Sequence, residues 1–199
     1  TQGGLPSPDS DYDVRAIYIR PQQYYLQIDE AKDTFEFIEN QWFDVGGWDI
    51  RKALRLLRKS NATLLEWLHS PIVYTQDDDF TGRLNALAPQ YVQAAALLHH
   101  YRGIAGNALR NMDLAHPVKL KKWFYVLRPL LAARWAVKQG GIPPMTLAKL
   151  MSEWQTDCAA QITDLVAIKA EQDERYLHTL SPELQRLTVE LYNEVSELS

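Results

Sequence analysis

Ser7-Pro8-Asp9-Ser10-Asp11-Tyr12-Asp13-Val14-Arg15, running on into Ala16-Ile17-Tyr18-Ile19, is the stretch on which the fold turns. Asp9, Asp11 and Asp13 stand at alternate positions, before and at the start of an apolar, strand-like run. Alternate residues of a strand point to one face, so Asp11 and Asp13 project together while Tyr12 and Val14 turn toward a core. Carboxylates held that close repel and raise each other's pKa. A divalent cation removes this cost, and hard oxygen donors suit Mg²⁺ or Mn²⁺. Such a pair is suited to holding metal against phosphate oxygens. Pro-Asp-Ser-Asp is also ordinary turn chemistry, since Asp and Ser bond their own backbone in turns. Asp13 separates the two readings, because an acid inside a strand is disfavoured unless something requires it there.

Working outward, Val14 to Arg20 reads as a buried strand that Pro21 ends. Gln22 to Ile28 reads as an aromatic segment with one helical turn. Asp33 to Glu39 alternates, with Phe35 and Phe37 on one side and Glu36 and Ile38 on the other, which predicts a strand. Trp42 to Val45 predicts a short strand broken by Gly46-Gly47. Asp44 is an acid between apolar neighbours on that strand. It reads either as a third carboxylate beside Asp11 and Asp13 or as a loop residue next to the glycines. Asp49 precedes Ile50-Arg51-Lys52-Ala53-Leu54-Arg55-Leu56-Leu57 and is the expected helix cap.

From Asp49 onward the apolar period changes from two to 3.6 residues. Helices are expected to Ser60-Asn61, over Ala62–Leu68 until Pro71 intervenes, over Asp77–Leu87, and over Tyr91–Asn111. Further helices are expected over Val118–Lys138, Thr146–Trp154, Asp157–Tyr176 and Pro182–Leu198. Glu66 reads as structural, either solvated or holding Arg51 or Lys52. The adjacent His99 and His100 point about 100° apart on a helix, which is unsuited to a metal pair. In the helix that follows Pro117, Lys121, Tyr125 and Arg128 fall at i, i+4 and i+7 and share a face. A point charge, a phenol and a planar fork in one stripe suit a polyphosphate. A solvated basic face gives the same spacing. Against it, this helix is otherwise apolar nearly all round, and a buried helix that keeps charges has something to pair them with.

The 199 residues suffice for one large or two small domains. With 46% hydrophobic and 23% charged residues the chain is not globally disordered. Its formal net charge of −4 excludes an overall basic field for nucleic acid, so such binding needs a local patch. The single Cys158 excludes an intramolecular disulfide and a cysteine zinc cluster. No apolar run approaches the roughly 20 residues of a membrane span. The expected setting is reducing and cytoplasmic, with no membrane partner.

Taken together, Pro6 to Arg15, Gly47 to Leu57, Ser60-Asn61 through Leu65-Glu66-Trp67-Leu68-His69-Ser70-Pro71-Ile72-Val73-Tyr74, and Lys119 to Trp135 resemble one known group. The chain resembles the predicted bacterial nucleotidyltransferases of the DNA polymerase β superfamily, some of them associated with RNA-repair ligases. The resemblance implies an α+β fold. A small mixed β-sheet with flanking helices, the polymerase β-like nucleotidyltransferase core, would occupy residues 1–75. An α-helical bundle would fill residues 76–199. It implies that Asp11, Asp13 and Asp44 are the metal-binding and catalytic carboxylates for Mg²⁺ or Mn²⁺. It implies that Lys121, Tyr125 and Arg128 face an NTP, whose nucleoside monophosphate passes to a hydroxyl on an RNA end, a small molecule or a protein. One feature departs from the superfamily. A Gly-Ser turn expected some ten residues before the acids is lacking, and Gly3-Gly4 stands too close to replace it. Upstream residues are therefore expected, and a non-catalytic nucleotide-, RNA- or protein-binding module is the alternative.

Overall fold

The computed structural model describes residues 12–40 and 43–198. Its architecture is mixed α+β, with two small sheets and eight α-helices among the described residues. The first sheet holds β1 (Tyr12–Tyr18), β2 (Thr34–Asn40) and β3 (Phe43–Asp49) in the order β1-β3-β2. β3 runs parallel to β1 and antiparallel to β2, so the sheet is mixed, as the sequence predicts.

β3 corrects one expectation. The strand does not break at Gly46-Gly47 but continues through both to Asp49. It is the central strand, paired on both sides, and the two ladders outweigh the poor intrinsic preference of glycine. Glycine at 47 also lets the Phe35 ring lie against the strand. A Cβ there would lie 2.2 Å from Cε1 of Phe35 on the neighbouring strand.

A 3₁₀ turn over Gln22–Tyr25 follows β1 and is pinned to the start of α1 (Ile50–Arg58). The Tyr25 hydroxyl donates to Asp49 Oδ2 at 2.7 Å, and Asp49 Oδ1 accepts the Arg51 backbone N–H at 2.9 Å. Asp49 thus caps α1 as its position predicts. α2 (Ala62–Leu68) has the predicted bounds and is capped by Asn61, which accepts from the Leu64 N–H. The stacked rings of Trp48 and Trp67, with centroids 3.8 Å apart, tie β3 to α2.

The rest is helical: α3 (Asp78–Leu87), α4 (Ala94–Arg110), α5 (Leu120–Lys138), α6 (Leu147–Ser152), α7 (Ala159–Glu171) and α8 (Pro182–Glu197). Val118–Lys119, where helix is expected, and Leu177–His178, between two expected helices, form a two-residue antiparallel ladder, β4 and β5. α4 lies along α5, and one buried apolar cluster runs from Ala53 and Leu57 of α1 to Leu191 and Val195 of α8. Each fully buried leucine in it contributes about 1.5–3 kcal/mol. Trp123 is fully buried at the centre, and its indole N–H donates to Thr188 Oγ1 at 3.0 Å. The Thr188 hydroxyl in turn donates to the Leu184 carbonyl at 2.7 Å, so neither polar group is left unsatisfied. No helix among the described residues is long and apolar enough to cross a membrane.

His100 on α4 is half-buried beside Tyr101, and desolvation pulls its pKa below the ordinary range, with Glu66 opposing. A folded-state pKa below the unfolded value of about 6.5 means that the unfolded chain binds the extra proton first. The stability tied to neutral His100 is complete above about pH 6.5 and is lost as pH falls through the lower, folded value. Urea midpoints should therefore fall more between pH 7.5 and pH 5 for the wild type than for His100→Gln. Equal slopes in the two proteins would contradict this assignment.

Candidate functional site

β1 and β3 bring the acids together. In their parallel register Asp13 lies opposite Asp44, Arg15 opposite Gly46 and Ile17 opposite Trp48. By strand alternation these six positions share one face of the sheet. Ile17 and Trp48 pack on the helical core, so the acidic face is the one turned toward the helices. Asp44 is thus on a strand directly beside Asp13, as the sequence reading requires. Asp11 lies outside the described residues.

Arg15 joins the two carboxylates. Its Nη2 donates to Asp44 Oδ2 at 2.7 Å and to Asp13 Oδ1 at 3.1 Å. Its Nη1 donates to the Val14 carbonyl at 3.0 Å and to the Asp44 carbonyl at 3.3 Å. The hydrogen bond from Arg15 holds the Asp44 carboxyl below the usual carboxylate range, against a smaller opposing effect of burial. Reciprocally, the bond to Asp44 raises the Arg15 pKa, so the guanidinium stays charged. Sequence reading passed over Arg15. The signal was present, since Arg15 is two residues from Asp13 and so must share its face.

The donor set fits a hard divalent cation. Two carboxylate oxygens already converge on one positively charged nitrogen, and both side chains keep partial access to solvent, at 23% and 35%. Among the described residues no group of three His, Cys, Asp or Glu side chains converges on a metal position. A third ligand would have to come from Asp11, water or substrate.

The stripe on α5 is placed differently. Lys121 forms an ion pair with Glu174. Tyr125 is exposed at 43%. Arg128 is largely buried: its Nη2 donates to Glu66 Oε1 at 2.9 Å and its Nε to the Met145 carbonyl at 3.1 Å. The Tyr101 hydroxyl donates to the same Glu66 oxygen at 3.0 Å, and burial pushes its pKa well above the ordinary range. Glu66 is therefore structural, but its partner is Arg128 rather than Arg51 or Lys52. Those two pair with Glu30 and Asp33. The expected pairing of buried charge is met here by Glu66, which ties α5 to α2.

A sheet with paired acids in register, backed by a helical body, defines a mixed α+β protein with a candidate cation site at its strands. The family model described as the RNA repair pathway DNA polymerase beta family, RlaP, matches residues 3–198, and the chain belongs to that family. It is similar to the uncharacterized protein YcgL of Bacillus subtilis (strain 168), with 43% identity over 150 residues, covering 75% of this chain and 58% of YcgL. The chain thus spans less than two thirds of that relative's length. No solved structure matches it.

Removing Glu66 leaves the Arg128 charge buried without its carboxylate. Glu66→Ala should lower the unfolding free energy by about 2–4 kcal/mol in urea titration. Glu30→Ala removes an exposed partner of Arg51 and Arg55 and should cost at most about 1 kcal/mol. Equal losses in the two variants would contradict the structural role of Glu66.

Proposed function

We propose that the protein is a metal-dependent nucleotidyltransferase, moving a nucleoside monophosphate from an NTP to a hydroxyl acceptor, with the α–β phosphoanhydride bond broken and pyrophosphate released. One observation carries this reading: Asp13 and Asp44, on neighbouring parallel strands, aim their carboxylates at a single cationic point. Membership of a polymerase β family supports it. Asp13 and Asp44, with Asp11, would hold Mg²⁺ or Mn²⁺. When bound, the metal supplies charge neutralisation at the triphosphate and lowers the pKa of a coordinated acceptor hydroxyl.

The chain's own residues do the rest. Asp44, as an ionised carboxylate, accepts the proton from the acceptor hydroxyl. Lys121 and Tyr125, the more open members of the stripe, turn to the phosphates and offset the charge that builds up there. Arg128 keeps α5 against α2. The acceptor class includes an RNA end, a small molecule and a protein hydroxyl.

A second reading has one observation in its favour. Arg15 already satisfies both carboxylates, as it would in a nucleotide-binding module without turnover. Label transfer separates the two. The protein is incubated with Mg²⁺, each α-labelled NTP and cellular RNA or protein. Transfer of label by the wild type and a loss of at least about a hundredfold in Asp13→Asn and Asp44→Asn, with the fold retained, is the expected result. Nucleotide binding with no transfer would favour the module, and no binding would overturn both readings.

A further inference from the structure

We propose that Arg15 is the resident counter-ion of the Asp13–Asp44 pair, and that a divalent cation binds by displacing it rather than by joining it. This rests on the reading of Asp13 and Asp44 as cation ligands. At the two oxygens that Arg15 contacts, the two occupants are exclusive. Nη2 of Arg15 contacts one oxygen of each carboxylate, at 3.1 and 2.7 Å. A cation held by the same oxygens sits about 2.0–2.6 Å from each and occupies the volume the guanidinium fills. Two positive charges at that separation also repel directly.

Arg15 is built into this position. Its Nη1 is seated on two backbone carbonyls, those of Val14 and Asp44. The residue opposite it in register is Gly46. A Cβ at 46 would lie 3.4 Å from Nη1 and 3.8 Å from Cδ, in ordinary van der Waals contact, so the Arg15 side chain runs across Gly46 on its way to Asp44. The Arg15 side chain is 22% exposed, which gives the guanidinium a route out toward solvent.

The arrangement has a physical purpose. Adjacent strands lie about 4.8 Å apart, and two bare carboxylates at that spacing would repel in the metal-free protein. Arg15 offsets one of the two charges and keeps both oxygens aimed at one point. The site is thereby preformed without metal, at the cost of weaker binding, because each incoming cation must first break charge-assisted hydrogen bonds.

The test is Mn²⁺ binding in the absence of nucleotide, read by loss of the free-ion EPR signal. Arg15→Gln should bind Mn²⁺ at least about tenfold tighter than the wild type, because the competing cation is gone. Arg15→Lys keeps a charge but not the fork, and should fall between them. It also serves as the variant to read if Arg15→Gln does not fold by circular dichroism. Adding Asp44→Asn to Arg15→Gln should abolish the gain. Equal or weaker binding by both Arg15 variants would overturn the exchange while leaving Asp13 and Asp44 as ligands. Retention of the gain in the Asp44→Asn double variant would place the cation elsewhere and also overturn it. Absence of Mn²⁺ binding in every protein would overturn the nucleotidyltransferase reading together with it.

Discussion

Everything at the candidate site depends on one register. Parallel pairing of β1 with β3 sets Asp13 against Asp44, and a shift of one residue would send one acid to the other face. The register creates a local problem, two carboxylates at strand spacing, and the same strand supplies the answer two residues later in Arg15. Arg15 thus holds the two carboxylates convergent on one nitrogen, and keeps the Asp44 carboxyl below the usual carboxylate range. Polar chemistry at a half-buried sheet face is stable only because each charge there has a partner.

The helical body serves that sheet by holding it from one side. Trp48 and Ile17, on the acidic face, reach the buried cluster that runs from α1 to α8. Trp48 stacks on Trp67 of α2, and one residue away Glu66 receives Arg128 from α5. Sheet, α2 and α5 are therefore linked by one aromatic stack and one ion pair side by side in sequence. This placement gives Arg128 a reason to be charged within an apolar helix. It leaves Lys121 and Tyr125 as the members of the stripe with access to solvent.

Much of this was legible in the chain itself. Period-two alternation located β2, and the change to 3.6 located the helices. Asn61 and Pro71 bracketed α2, and the isolated acid at 44 proved to lie on a strand beside Asp13. What was not legible was non-local. Gly46-Gly47 reads as a break by composition, yet a central strand takes its hydrogen bonds from both neighbours, and Phe35 fills the space a side chain would need. Glu66 and Arg128 are 62 residues apart, and nothing in either segment announces the other. β4 and β5 are two residues each, too short for any period to register. Arg15 is the opposite case: its position was plain from alternation, but the acids around it drew the chemistry and the cation between them was passed over.

The most direct test of this account is anomalous diffraction from crystals of the protein grown with Mn²⁺. The account predicts a peak within coordination distance of the Asp13 and Asp44 carboxylates, with the Arg15 guanidinium moved off both. A peak elsewhere, with Arg15 still bridging the two acids, would contradict it.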